Sequence, residues 1–228
     1  MQLAGGGARG AAAAPVVVSG RGTPRGRAGP ASARPAVESG MLHPELQTLL
    51  TAIDAAEADA TTLAASLTDA QANWQPRAGA GWSVTQCLDH LARANAVYTA
   101  HFLPVVERAK AEGRGPFAGL RPTWFGRFFV RSLEPPPRQK TKTFANIVPA
   151  STGRLDQTLA AYLASHEPYR RLVHAANDVD VNRVVVRNPF VTALRIRAST
   201  ALQVTPAHER RHLWQARQVL VAPGFPPR

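Results

Sequence analysis

The chain has 228 residues, 45% of them hydrophobic, enough for one domain, or at most two, with a buried core. Its single cysteine, Cys87, excludes an intramolecular disulfide and any cysteine-rich zinc module, and it suits a reducing, cytoplasmic compartment. No apolar run is long enough to span a bilayer, and the formal charge of +12 is informative only where it is concentrated.

Residues 1–40 are rich in Gly, Ala, Pro and Arg, with Glu38 as the one acid, and hold almost no large apolar side chain outside Val16–Val18. Such a segment buries too little surface to offset its ordering entropy, so a disordered tail is expected. A signal peptide is disfavoured because Ala11–Val18 is short, weakly hydrophobic and interrupted by Pro15. Met41 opens the domain, residues 41–228, and is itself a candidate start.

From His43 to Leu67 the apolar residues Leu46, Leu49, Leu50, Ile53, Ala56, Ala60, Leu63 and Leu67 recur at helical spacing and predict a first helix. Thr68 and Gln71 have capping-box form, as do Ser83 and Gln86, with Trp82 placed as a hydrophobic staple. The second box starts a second helix that runs to about Ala111. Its core stripe is Val84, Cys87, Leu88, Leu91, Asn95, Tyr98 and Phe102, with His90 at the edge.

Residues 110–142 read as a loop that concentrates charge: eight Lys and Arg stand against Glu112 and Glu134. Trp124, Phe125, Phe128 and Phe129 are interleaved among them, which argues for a functional segment. A third helix spans Ser151 to about Asn177, with a heptad-like seam of Leu155, Leu159, Tyr162, His166, Tyr169 and Val173 and a kink expected at Pro168. A Val- and Arg-rich connection then leads to a fourth helix, about 193–221, in which Pro206 is expected to form a kink.

Four helical patterns and one long crossover between the second and third predict an all-α four-helix bundle, a fold that builds metal sites from side chains on facing helices. On the fourth helix His208 and His212 stand four apart on the apolar face, with Gln215 beside them, a spacing one metal ion can bridge. His208-Glu-Arg-Arg-His212 also spells the zinc-protease signature, but no Asp, Glu, His or Cys follows His212 to supply a third ligand. A third donor must come from upstream. His90 borders the core and His166 sits in the seam, whereas His43, His101 and His174 lie near helix ends.

Trp82-Ser-Val-x-x-x-Leu88-x-His90-Leu91, with Trp74-x-Pro76 before it and His208-x-x-x-His212-x-x-Gln215 at the end, resembles the DinB-like superfamily of metal-binding four-helix bundles over about residues 45–220. The resemblance implies a divalent metal held by His90, His208 and His212, and often a homodimer. It further implies a metal-dependent enzyme of hydrolase or thiol-S-transferase type, using mycothiol, bacillithiol or glutathione. Zinc and nickel suit three nitrogen ligands. Glu209, about 100° round the helix from His208, is a candidate base or else an ion partner for Arg127 or Arg131. Gln215 would orient an imidazole or a bound water, and Asp89 would face solvent. The basic 110–142 segment would close the open end of the bundle as a lid over a small-molecule substrate. The alternative is a non-catalytic binding module gripping an anionic partner, a nucleic acid or a membrane surface, through that segment.

Overall fold

The computed structural model describes residues 41–137, 142–150 and 152–227. The tail expected at 1–40 and part of the basic segment, 138–141, lie outside these residues. Helix α1 spans Pro44–Ala65. Pro44 suits its first turn, where no N–H partner is needed, and the His43 imidazole accepts from the Glu45 amide at 3.2 Å. Helix α2, Asp69–Asn73, is started by the expected box: the Gln71 amide donates to Thr68 Oγ1 and the Thr68 amide to Gln71 Oε1. The Ser83–Gln86 box starts α3, Val84–Ala111, in the same way.

The crossover departs from the expected loop. It carries a nine-residue helix, α4 (Trp124–Ser132), capped by Thr123, and a short 3-10 turn at Ala145–Ile147. Gly126 is where α4 meets the next structural layer, because a Cβ there would collide with the Thr200 side chain. The expected third helix is two helices, α5 (Leu155–Ala164) and α6 (Glu167–Ala176). Pro168 has no N–H to give the Ala164 carbonyl, so the chain turns at Ser165–His166 and restarts. The Val/Arg connection contains an antiparallel hairpin, β1 (Val185–Arg187) with β2 (Arg195–Arg197), in which Val186 pairs with Ile196. Both of these are buried, while Val185, Arg187 and Arg195 on the other face are exposed.

Helix α7, Ala198–Leu220, runs through Pro206 without interruption. The proline leaves the Leu202 carbonyl, four residues back, without its helical donor, and the Tyr169 hydroxyl fills that vacancy at 2.6 Å. A core residue of α6 thus makes the proline tolerable in α7.

Helix α3 packs against α5, α6 and α7, and α1 packs against the same three, which sets α1 and α3 at opposite corners of an all-α bundle. Each long helix divides its buried apolar residues into two groups. One core holds Leu46 to Ile53, Tyr98 to Ala109, Tyr169 to Ala176 and Ala198 to Val204. The other holds Ala56 to Ala64, Val84 to Leu91, Leu155 to Tyr162 and Leu213 to Val219. At the junction the buried residues are polar: Asn95, His166 and Glu209. No helix among the described residues is long and apolar enough to cross a membrane.

Candidate metal centre

Helix α3 offers His90 and the facing stretch of α7 offers His208 and His212. One ring nitrogen of each lies within 4.8 Å of the other two. Ring centroids are 4.5 Å apart for His90–His212, 4.6 Å for His208–His212 and 5.1 Å for His90–His208. His90 and His212 are buried and His208 is half-buried.

The tautomer of His90 follows from its partner. Nδ1 lies 2.8 Å from the Ile147 carbonyl, which can only accept, so Nδ1 carries the proton. Nε2 therefore bears a lone pair, and it faces His208 Nε2 at 3.3 Å. Two nitrogens bonded to one tetrahedral ion at roughly 2.05 Å stand about 3.3 Å apart, the same separation. His212 Nδ1 is buried with no hydrogen-bond partner in the protein, a costly state for a polar atom that has no further ligand.

All three imidazoles are held neutral. Burial pushes His90 down, against opposing contributions from the Ile147 hydrogen bond and the Glu209 and Asp89 charges. His208 is pushed down to about 3, first by burial and then by His90 and Arg211. His212 is driven well below the ordinary imidazole value by burial, then by His208, His90 and Arg211, while Gln215 interacts with the ring and opposes the shift. Neutral imidazole is the form that binds a metal.

Trp82 walls the cluster. Its ring lies 4.8 Å from that of His90 and stacks on His212 at 5.7 Å and 26°. The residue expected to staple the first turn of α3 packs against the core that holds Val84 and Cys87 and also on two of the three imidazoles. Asp89, expected to face solvent, is half-buried: it accepts from Arg93 at 2.8 Å and from the Ala150 amide at 2.7 Å. Together Asp89 and His90 fasten the end of the crossover to α3.

Glu209 points away from the exposed arginines of α4 and into the bundle, where it is 0% exposed. Tyr162 donates to its Oε2 at 2.6 Å and Asn95 to its Oε1 at 2.8 Å. His166 Nε2 is 3.3 Å from Oε1 but out of line for a hydrogen bond. His166 Nδ1 meets Glu57 at 3.0 Å, and Arg170 closes the row on Glu57 at 2.9 Å. This row crosses the bundle from α1 to α7 at the junction of the two apolar cores. Glu209 is therefore no ion partner of Arg127 or Arg131, and a base role would require it to leave donors that already engage both oxygens.

The remaining histidines stay apart from the cluster: His43 caps α1, and the exposed His101 bonds the Arg187 carbonyl at 2.8 Å. The aromatics expected to line a lid do not do so, since Trp124 is 73% exposed, Phe128 59% and Phe125 42%. The Ile147 carbonyl, a main-chain atom, could not have been found from side-chain identities. Arg211 and Asn95 were visible in the sequence, but no spacing rule ties them to this site.

The sequence model of the DinB superfamily matches residues 52–216, which include all three histidines, the whole of α3 and most of α7. No curated protein and no solved structure matches the chain.

Proposed function

The chain belongs to the DinB superfamily, and on that premise we propose that it is a metal-dependent enzyme whose divalent ion is held by His90, His208 and His212. The observation that carries this reading is the approach of His90 Nε2, lone pair outward, to His208 Nε2 at 3.3 Å beside the buried, unpartnered Nδ1 of His212. Bound by three neutral imidazoles, a zinc or nickel ion would keep its full charge and an open position, able to lower the pKa of water toward about 7 or to deprotonate a thiol.

The protein's own groups define the rest of the chemistry. The Ile147 carbonyl holds the His90 proton on Nδ1 and so fixes which nitrogen faces the site. Trp82 excludes water from one flank. Gln215 bears on the His212 ring and sets its orientation. Arg211 is half-buried, and its charge is felt at both His208 and His212, so the site favours an anionic ligand. Glutathione and bacillithiol both carry carboxylates, which places thiol-S-transfer ahead of hydrolysis of a neutral substrate.

The test is turnover by protein reconstituted with zinc or nickel. Conjugation of monochlorobimane to glutathione, bacillithiol and mycothiol is measured beside hydrolysis of a p-nitrophenyl ester. The proposal expects metal-dependent turnover with at least one thiol or with the ester, abolished in His208→Ala. Rates identical with and without metal on every substrate would overturn it.

A further inference from the structure

We propose that the outer face of α4, with the adjoining face of the β1–β2 hairpin, is a docking surface for a bilayer rich in anionic lipid. Helix α4 lies on the outside of α7, where it buries Gly126 and half-buries Phe129, Val130 and Leu133. By helical period its opposite side centres on Trp124 and Phe128, flanked by Arg127 and Arg131. Those two aromatic rings are the most exposed in the described residues and stack on one another at 6.0 Å and 13°. A single helix therefore has two apolar sides, one against the bundle and one facing water, and the second is bordered by arginine.

The hairpin extends the pattern. Arg197 donates to the Arg121 carbonyl at 3.3 Å, which joins β2 to the lead-in of α4. On the outer face of the hairpin Val185, 59% exposed, shares a side with Arg187, Arg195 and Arg197. The ion pairs among the described residues go elsewhere: to Arg93, Lys110, Arg114, Arg154, Arg170, Arg183, Arg210 and Arg217, and to His43 and His166. Among the described residues, Arg121, Arg127, Arg131, Arg187, Arg195 and Arg197 thus have no carboxylate partner.

The occupant follows from charge and shape. A second copy of the chain would bring like charge onto like charge. Single-stranded nucleic acid stacks its bases on aromatics within a basic groove, whereas here the aromatics crown a ridge. Trp and Phe between arginines on the outer side of a surface helix is the pattern that sits at the headgroup level of an anionic membrane. The surface does not involve the histidine cluster, so this inference stands or falls apart from the metal reading.

Full-length protein is tested by co-sedimentation with phosphatidylcholine vesicles, with and without phosphatidylglycerol at about one lipid in three. Binding to the anionic vesicles only, weakened by salt, is expected. Trp124→Ser/Phe128→Ser removes no charge, so any binding by the basic N-terminal residues is untouched, and partitioning should still fall at least tenfold. Arg127→Gln/Arg131→Gln should cost about fivefold for each charge. Metal content and melting temperature, measured on the same samples, should be unchanged. Three results would each overturn the proposal: equal partitioning of wild type and the aromatic variant, tighter binding to single-stranded DNA or RNA than to the vesicles, or a wild-type dimer that the aromatic variant converts to monomer.

Discussion

Replacing Glu209 with Ala is the most informative perturbation of the buried row. Its carboxylate receives Tyr162 at 2.6 Å and Asn95 at 2.8 Å, with His166 3.3 Å away, and none of the four side chains is more than 2% exposed. Removal strands two or three polar groups out of reach of water, at about 1–3 kcal/mol each. Loss of one member of a buried charged network typically costs about 3–5 kcal/mol in total. In a domain of this size each kcal/mol moves the melting temperature by about 2–4 °C, so a fall of roughly 6–20 °C is expected. Tyr162→Phe, which deletes only one donor, should cost about 1.5–3 kcal/mol, the range for a hydrogen bond to a charged group. The measurement is thermal unfolding in excess chelator, so that metal linkage does not enter. A Glu209→Ala melting temperature within about 2 °C of wild type would refute the structural account and would return Glu209 to the role of a free base.

Metal-free protein should lose stability as pH falls below about 6.5. The cluster imidazoles are depressed in the folded state, so below the ordinary imidazole value the unfolded chain takes up protons that the folded chain refuses, down to about pH 3 for His208. Urea midpoints measured from pH 8 to pH 4.5 should decline over that window and flatten in His208→Ala/His212→Ala; a flat wild-type profile would contradict the buried neutral cluster. Tyr169→Phe should cost about 1 kcal/mol because the Leu202 carbonyl loses its donor, and the cost should shrink in a Pro206→Ala background where the helical N–H returns. Equal costs in both backgrounds would show that the hydroxyl does not compensate for the proline.

Much of this architecture was legible in the chain because local rules and tertiary packing agree. The Thr68–Gln71 and Ser83–Gln86 boxes start helices where their spacing requires, and the stripe from Val84 to Phe102 is buried throughout. The histidine cluster was legible for the same reason, since the face shared by His208 and His212 meets the edge of the stripe that carries His90. What escaped was decided between distant residues. The sequence leaves Glu209 as a base or a partner for Arg127 or Arg131, because angle on a helix says nothing of what faces it; Tyr162, Asn95 and His166 do, from two other helices and the turn between α5 and α6. Pro168 announced a kink but produced a break, because the turn at Ser165–His166 also delivers His166 to Glu57. Helix α4 was hidden in a stretch punctuated by proline, where the spacing of its aromatics served an outer face as much as an inner one.

The central claim is that three histidines from two helices hold one metal ion. Protein purified without an affinity tag that binds metal, loaded with zinc or nickel and dialysed, is analysed for bound ion by mass spectrometry alongside His90→Ala, His208→Ala and His212→Ala, each checked for folding by circular dichroism. The account predicts about one ion per chain in wild type and loss of it in each folded variant. Full occupancy retained by His90→Ala, which would leave the two histidines of α7 sufficient by themselves, would contradict it.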